Sequence, residues 1–214
     1  MAEPGMDAGA RVVGVLLAGG LSRRMGGGDK CLQQLRGKPL LEHVIERIRP
    51  QVARMILNAA GEPARFAAFG LPVVPDVVSG FAGPLAGILT GLEWAAREAP
   101  DCRWIVSIPT DAPFLPRDLV ARLVEGAQQA EGGEALACAA SAGRTHPVIG
   151  LWPLSCRAAL RLALVTDDVR KIDQFTADFI CPAVEFSDVP VDPFLNANRP
   201  EDLARAEELA DVVN

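Results

Sequence analysis

Residues Arg11 to Ala18 (RVVGVLLA) are apolar at nearly every position and end directly in a glycine pair, Gly19-Gly20. A strand with one wet face alternates apolar and polar residues. A short continuous run closed by glycine is the pattern of a strand buried on both faces, and such strands occur in parallel sheets covered by helices on both sides. The rest of the chain must therefore supply two helical layers. Pro39–Arg49 (PLLEHVIERIR) puts Leu40, Val44 and Ile48 on one stripe with Leu41 and Ile45 beside it, opens on a proline suited to a first turn and stops at Pro50. Val52–Asn58 predicts a second strand, and Leu71–Asp76 a short third whose prolines suit an edge. Pro84–Ala99 is expected as a helix with Leu85, Ile88, Leu89 and Leu92 inward, Arg103–Ile108 as a central strand, and Arg117–Gly126 as a helix. Glu134–Ala140 and Pro147–Trp152 are expected as strands around a loop carrying Arg144, Thr145 and His146. Helical stretches near 154–164 and 168–178, a strand near 180–186 and a last helix over Glu201–Ala210 complete the pattern, with Glu201 and Asp202 at that helix's positive end. This alternation predicts one Rossmann-like, three-layer α/β domain with a mostly parallel central sheet over residues 11–214, preceded by a disordered segment 1–10.

Composition narrows the function. Half the residues are apolar and 22% are charged, enough for a core and against disorder. With 21 Lys plus Arg against 27 Asp plus Glu there is no clustered positive stripe, so no nucleic-acid partner is expected. The apolar runs fall short of the roughly 18 residues a membrane helix needs. The start MAEPGMDAGAR has neither a basic nor an apolar signal region. Cys31, Cys102, Cys138, Cys156 and Cys181 are widely spaced and form no CxxC. These features predict a cytoplasmic protein with reduced, buried thiols and no zinc cluster.

In such sheets ligands bind beyond the carboxyl ends of the strands, and the chemistry-bearing residues fall there. The first strand runs into Leu17-Ala18-Gly19-Gly20-Leu21-Ser22-Arg23-Arg24-Met25-Gly26-Gly27-Gly28-Asp29-Lys30. Glycines let backbone N–H groups approach a phosphate, and Arg23, Arg24 and Lys30 supply the charge to neutralise a triphosphate. The loop is neither a Walker A sequence nor GxGxxG. After the central strand comes Pro109-Thr110-Asp111-Ala112-Pro113, a carboxylate stiffened by two prolines. A rigid carboxylate at a strand end suits a phosphate-bound Mg²⁺. The alternative is an Asp that caps the next helix.

LAGGLSRRMGGGDK together with PTDAPFLP resembles the GT-A-like nucleotidyltransferases. Gly83–Ile88 (GPLAGI), Arg144–Trp152 (RTHPVIGLW) and Phe194–Leu203 (FLNANRPEDL) make the chain similar to the molybdenum cofactor guanylyltransferase family, from about Val12 to Leu209. The resemblance implies transfer of GMP from GTP to the terminal phosphate of molybdopterin, with or without molybdenum, releasing pyrophosphate. It implies that Leu17, Ala18, Gly19, Gly20, Lys30, Asn58, Asp76 and Asp111 bind the nucleotide, with Asn58 and Asp76 on the guanine side, where the base offers N1–H and N2–H donors. Arg24, Lys30 and Asp111 would carry catalysis, Asp111 holding Mg²⁺. Arg144, His146, Asn196 and Asn198 would bind the pterin, Asn196 and Asn198 sharing a face of one strand-like segment, with Thr145 nearby and Arg170 and Lys171 available to its phosphate. The nucleotide part would span about 11–115 and the pterin part about 116–200. Upstream cofactor-synthesis proteins, receiving molybdoenzymes and their chaperones are the implied partners of a monomer.

Two departures stand out. Arg199 stands where the family often has a Thr, which would cap the last helix, and Gly26-Gly27-Gly28 holds an extra glycine relative to the family's loop. The rivals are a nucleotidyltransferase using CTP or a sugar phosphate, and a non-catalytic carrier of the finished cofactor. An intact glycine loop and Asp111 argue against the carrier, which needs no grip on a triphosphate.

Overall fold

The computed structural model describes residues 11–19, 29–80, 83–131, 135–197 and 199–213. The apolar run forms β1 (Val12–Leu17), every residue buried. Val12 and Leu16 face one side of the sheet, and Val13, Val15 and Leu17 the other. Beside it lie β4 (Arg54–Asn58), β5 (Val73–Val74) and β6 (Trp104–Pro109); further out are β7 (Ala137–Ser141), β8 (Arg144–Pro153) and β9 (Ala183–Phe186). The order is β5-β4-β1-β6-β8-β7-β9. β8 is antiparallel to both its neighbours and the remaining pairings are parallel, so the sheet is mostly parallel as expected.

Helices cover both faces. On one, α1 (Leu40–Ile48) and α3 (Leu119–Gln129) pack Leu41, Val44, Ile48, Leu119, Leu123 and Val124 against Val12, Leu16 and Val106. On the other, α2 (Pro84–Glu98), α4 (Arg157–Val165) and the short α5 (Ile172–Thr176) pack Leu85, Ile88, Leu92, Leu160 and Phe175 against Val13, Val15 and Ile105. A third cluster joins α6 (Pro200–Val213) to the hairpin of β2 (Gln34–Leu35) and β3 (Lys38–Pro39) through Leu35, Leu40, Phe114 and Ala206. Arg36 reinforces it, pairing with Glu207 at 3.0 Å and Asp211 at 2.6 Å. Among the described residues no helix is long and apolar enough to cross a membrane.

Three local expectations need correction. Arg144, Thr145 and His146 are not in a loop: they open β8, and the connection from β7 is only Ala142-Gly143. Both turn residues have positive φ (49° and 71°), the geometry of a type I′ hairpin, with Ala where Asn or Asp is usual. The helix expected near 168–178 begins only at Ile172, leaving Arg170 outside it. Asn196 was expected on a strand-like segment, but residues 195–197 form no regular element. The capping defect at Arg199 is partly compensated, because Asp202 Oδ2 accepts the Arg199 N–H at 2.9 Å, the backward half of a capping box. The 1–10 segment lies outside the described residues.

Candidate active site

The chain runs from β1 outward to β4 and β5, then returns to β6 on the other side of β1. That reversal opens a crevice at the carboxyl ends of β1 and β6. Leu17, Ala18 and Gly19 leave β1 at this crevice. Ala18 N–H donates to Asn58 O at 2.9 Å, and Thr110 Oγ1 donates to Leu17 O at 3.3 Å. Among the described residues, a Cβ added at Gly19 would meet nothing within 4 Å.

Lys30 and Asp111, 81 residues apart, form an ion pair across the crevice through Nζ and Oδ2. Each side chain is less than a fifth exposed (17% and 19%). Asp111 Oδ1 is buried and has no hydrogen-bond partner among the described residues. A buried acceptor without a donor costs about 1–3 kcal/mol, more if charged, so this oxygen calls for a cation or a donor from outside the chain. Among the described residues no group of three or more His, Cys, Asp and Glu surrounds it. Asp111 is the residue here that could hold a hard divalent ion, such an ion taking its remaining ligands from phosphate and water. It does not cap α3, which starts at Leu119.

Lys30 is anchored from behind. Its neighbour Asp29 accepts from Arg65 Nε at 2.5 Å, and Arg65 also donates to Glu62 O at 2.6 Å and lies over the Phe66 ring at 4.5 Å. Arg65 belongs to a 3-10 helix, Pro63–Phe69, which carries no sequence signal for this role. Cys31, next along, is no nucleophile: burial, then the Asp29 charge, pushes its thiol up to about 11. Its burial, like that of Cys102, Cys138 and Cys156, follows expectation; Cys181 is half-buried.

Asn58 is buried at the end of β4. Its Nδ2 donates to Val74 O at 3.1 Å and to Asp76 Oδ1 at 2.9 Å. Asp76 itself is exposed. Gly87 makes room for Asn58. A Cβ there would sit 2.3 Å from Asn58 Oδ1 and 2.6 Å from Leu17 Cδ2, so only glycine lets α2 press against Asn58.

The β6–β8 ladder stops at Ser107 and Gly150. Continuing that register would set Asp111 opposite His146. Instead the pairing with β6 ends there while β8 continues along β7, with a register shift at Cys138/Ala139 opposite residues 147–149, among them Pro147, which has no N–H to give a ladder. The Ser107 hydroxyl donates to Val148 O at 2.7 Å, serving a carbonyl the ladder has left. Residues 192–197 bridge the two separated elements. Ala197 N–H donates to Asp111 O at 2.9 Å, and the Phe194 ring lies 4.8 Å from that of His146. Asn196 is thereby held exposed beside the Asp111 loop, and at the start of β8 Arg144 is exposed and His146 half-buried.

Lys30, Asp111, Leu17, Ala18, Gly19, Asn58 and Asp76 thus gather at the ends of the parallel strands, and Arg144, His146 and Asn196 on the β8 side. Arg170 and Lys171 are exposed; Arg170 pairs with Asp168 at 2.5 Å and its carbonyl lies 3.7 Å from where a Gly83 Cβ would be. Gly20, Arg24 and Asn198 lie outside the described residues. Sequence reasoning met Gly87 only as part of the GPLAGI stretch, and missed Arg65, Ser141 and Asp192. Only Asp192 left a trace, the Asp-Pro pair that begins an Asx turn: its Oδ1 accepts Phe194 N–H at 3.0 Å.

The model of the MobA-like NTP transferase domain matches residues 14–179. The molybdenum cofactor guanylyltransferase of Bradyrhizobium sp. (strain ORS 278) is 59% identical over 199 residues, 93% of either chain. That of Rhodopseudomonas palustris (strain BisB5) is 56% identical over 198 residues, 92% of either chain. The crystal structure of molybdopterin-guanine dinucleotide biosynthesis protein A from Archaeoglobus fulgidus has the same fold, with a TM-score of 0.71 at 23% identity over 94% of this chain and 99% of that one.

Proposed function

The chain belongs to the molybdenum cofactor guanylyltransferases, and we propose that it transfers GMP from GTP to the terminal phosphate of molybdopterin or Mo-molybdopterin. The observation that carries the reading is the Lys30–Asp111 pair at the β1–β6 crevice, with Asp111 Oδ1 left without a partner among the described residues. One P–O bond forms between the pterin phosphate and the α-phosphorus, the bond to the β-phosphate breaks, and pyrophosphate leaves. A phosphate monoester is largely ionised near neutral pH, so the acceptor needs no general base. The work of the site is to align two anions and offset their repulsion.

Lys30 meets the triphosphate, and the segment Leu17, Ala18 and Gly19 lies along it, with Gly19 presenting its backbone, continued by Gly20 and Arg24. Asp76 accepts the guanine N1–H and N2–H, while Asn58 contributes by fixing the Asp76 carboxylate. Asp111 is the residue that would hold Mg²⁺, which when bound supplies charge stabilisation at the phosphates. The nucleotide part spans about 11–115 and the pterin part about 116–200, with Arg144, His146, Asn196 and Asn198 turned to the pterin. Reduced thiols and these substrates fit a monomer working in the cytoplasm, among the proteins that make and receive the cofactor.

Pyrophosphate release, measured with molybdopterin and each nucleoside triphosphate in turn, tests the reading. Release with GTP, dependent on molybdopterin and a divalent ion, is expected. Release with CTP in preference, release with a sugar phosphate as acceptor, or binding of the dinucleotide without any turnover would replace it.

A further inference from the structure

His146 Nε2 lies 2.9 Å from the hydroxyl of Ser141, and that hydroxyl donates to Asp192 Oδ1 at 2.8 Å. Counting protons fixes the ring. A serine hydroxyl has one hydrogen, and a carboxylate has none to give. Asp192 Oδ1 accepts from the Phe194 N–H as well, so the Ser141 hydrogen points to Asp192. A Ser141 lone pair then faces Nε2, which must carry a hydrogen to complete the bond. In the neutral ring Nδ1 is therefore bare and an acceptor. Ser141 is fully buried in β7, so water does not compete for its hydroxyl. Asp192 comes from 51 residues away, on the same segment that delivers Asn196 and hangs from the Asp111 carbonyl through Ala197. The relay thus ties the orientation of His146 to the loop that carries the nucleotide-side carboxylate.

We propose that Ser141 and Asp192 are positioning residues that hold His146 as the Nε2–H tautomer, so that Nδ1 offers its lone pair to an N–H of the acceptor's pterin ring. The pyrimidine edge of a pterin presents ring N–H and amino donors. The opposite tautomer would set a donor against them. The ligand in this inference rests on the proposed function, whereas the tautomer rests on the geometry alone. The charged groups facing the ring are Asp192 on the bridging segment, Glu185 on β9 and Arg144 on β8 itself.

The full chain labelled with 15N-histidine tests it. The sequence has two histidines, so His43 and His146 are separated by one control, His43→Gln. The expected spectrum has His146 as the Nε2–H tautomer, mixed in Ser141→Ala, restored in Ser141→Thr, and kept in Asp192→Asn, whose amide oxygen still accepts. In parallel, Ser141→Ala weakens molybdopterin binding about tenfold and leaves GTP binding unchanged. A wild-type Nδ1–H ring, or an Nε2–H ring that persists unchanged in Ser141→Ala, overturns the relay. A tautomer change without a change in molybdopterin affinity, or with an equal loss of GTP affinity, overturns the role assigned to Nδ1. A wild-type chain that binds no molybdopterin overturns the proposed function and the ligand with it, while the spectrum still decides the relay.

Discussion

Gly87→Ala sets two effects of opposite sign against each other. In an ordinary helix interior this change stabilises by about 1 kcal/mol, because glycine is the poorer helix former. Here the new methyl would lie 2.3 Å from Asn58 Oδ1 and 2.6 Å from Leu17 Cδ2, closer than real contacts allow. Overpacking of this kind costs about 1–3 kcal/mol. If Asn58 swings aside instead, its 2.9 Å bond to the Asp76 carboxylate is lost, which is worth about 1.5–3 kcal/mol as a bond to a charged group. Either route exceeds the propensity gain at its upper end, and the routes compound if both are taken. Less the gain of about 1 kcal/mol, the expected net for either route taken alone is a loss of about 0–2 kcal/mol. For a chain of this size that lowers Tm by about 2–4 °C for each kcal/mol. Because Asn58 orients Asp76, GTP affinity should fall about tenfold as well. Thermal unfolding and GTP titration of the same preparation measure both. A companion, Gly126→Ala, would among the described residues meet only the tip of Val184 at 2.6 Å, on the edge strand, and should be tolerated better. A Gly87→Ala chain with raised Tm and unchanged GTP affinity would refute the close approach of α2 and the role given to Asn58.

Lys30→Ala removes the partner of Asp111 and a charge contact to the triphosphate, so GTP affinity should drop about 10- to 150-fold; equilibrium titration at fixed salt checks it, and an unchanged affinity would remove Lys30 from the site. Asp76→Asn should raise the KM for GTP about tenfold with little change in kcat, since base recognition is lost and phosphate chemistry is not; steady-state pyrophosphate release gives the split, and a fall confined to kcat would contradict it. Burial, first among the causes, holds the His146 ring below its ordinary value of about 6.5. The unfolded chain therefore binds this proton more readily, and stability should decline as pH is lowered beneath about 6.5 until the folded ring also protonates. Urea unfolding at a series of pH values should show a shallower decline in His146→Gln, and an equal or steeper one would show that this ring contributes nothing to it.

Several features of the molecule follow from local patterns. The unbroken apolar run of Val12–Leu17 required cover on both faces, because each of its side chains had to leave water whichever way it pointed. The stripe of Leu40, Val44 and Ile48 fixed a helix and its inward side. Lys30 and Asp111 stood out as charges that follow strand ends, where a polar group needs a partner or a ligand. Local patterns could not tell that the turn at Ala142-Gly143 holds only two residues, since an alanine at positive φ is tolerated only when the paired strands hold it there.

What the sequence determined by itself is the layer plan and the inventory of chemistry, since burial periodicity and residue type are properties of a few neighbouring positions. Only the tertiary structure decided how that inventory is used. It directed the Asn58 amide to Asp76, gave one Asp111 oxygen to Lys30 while leaving the other without a partner among the described residues, and set Ser141 between His146 and Asp192. Each of these depends on which donor meets which acceptor across as many as 81 residues of chain. That pairing is fixed by strand order and register, which bring distant segments within hydrogen-bond reach and which no short window of sequence contains.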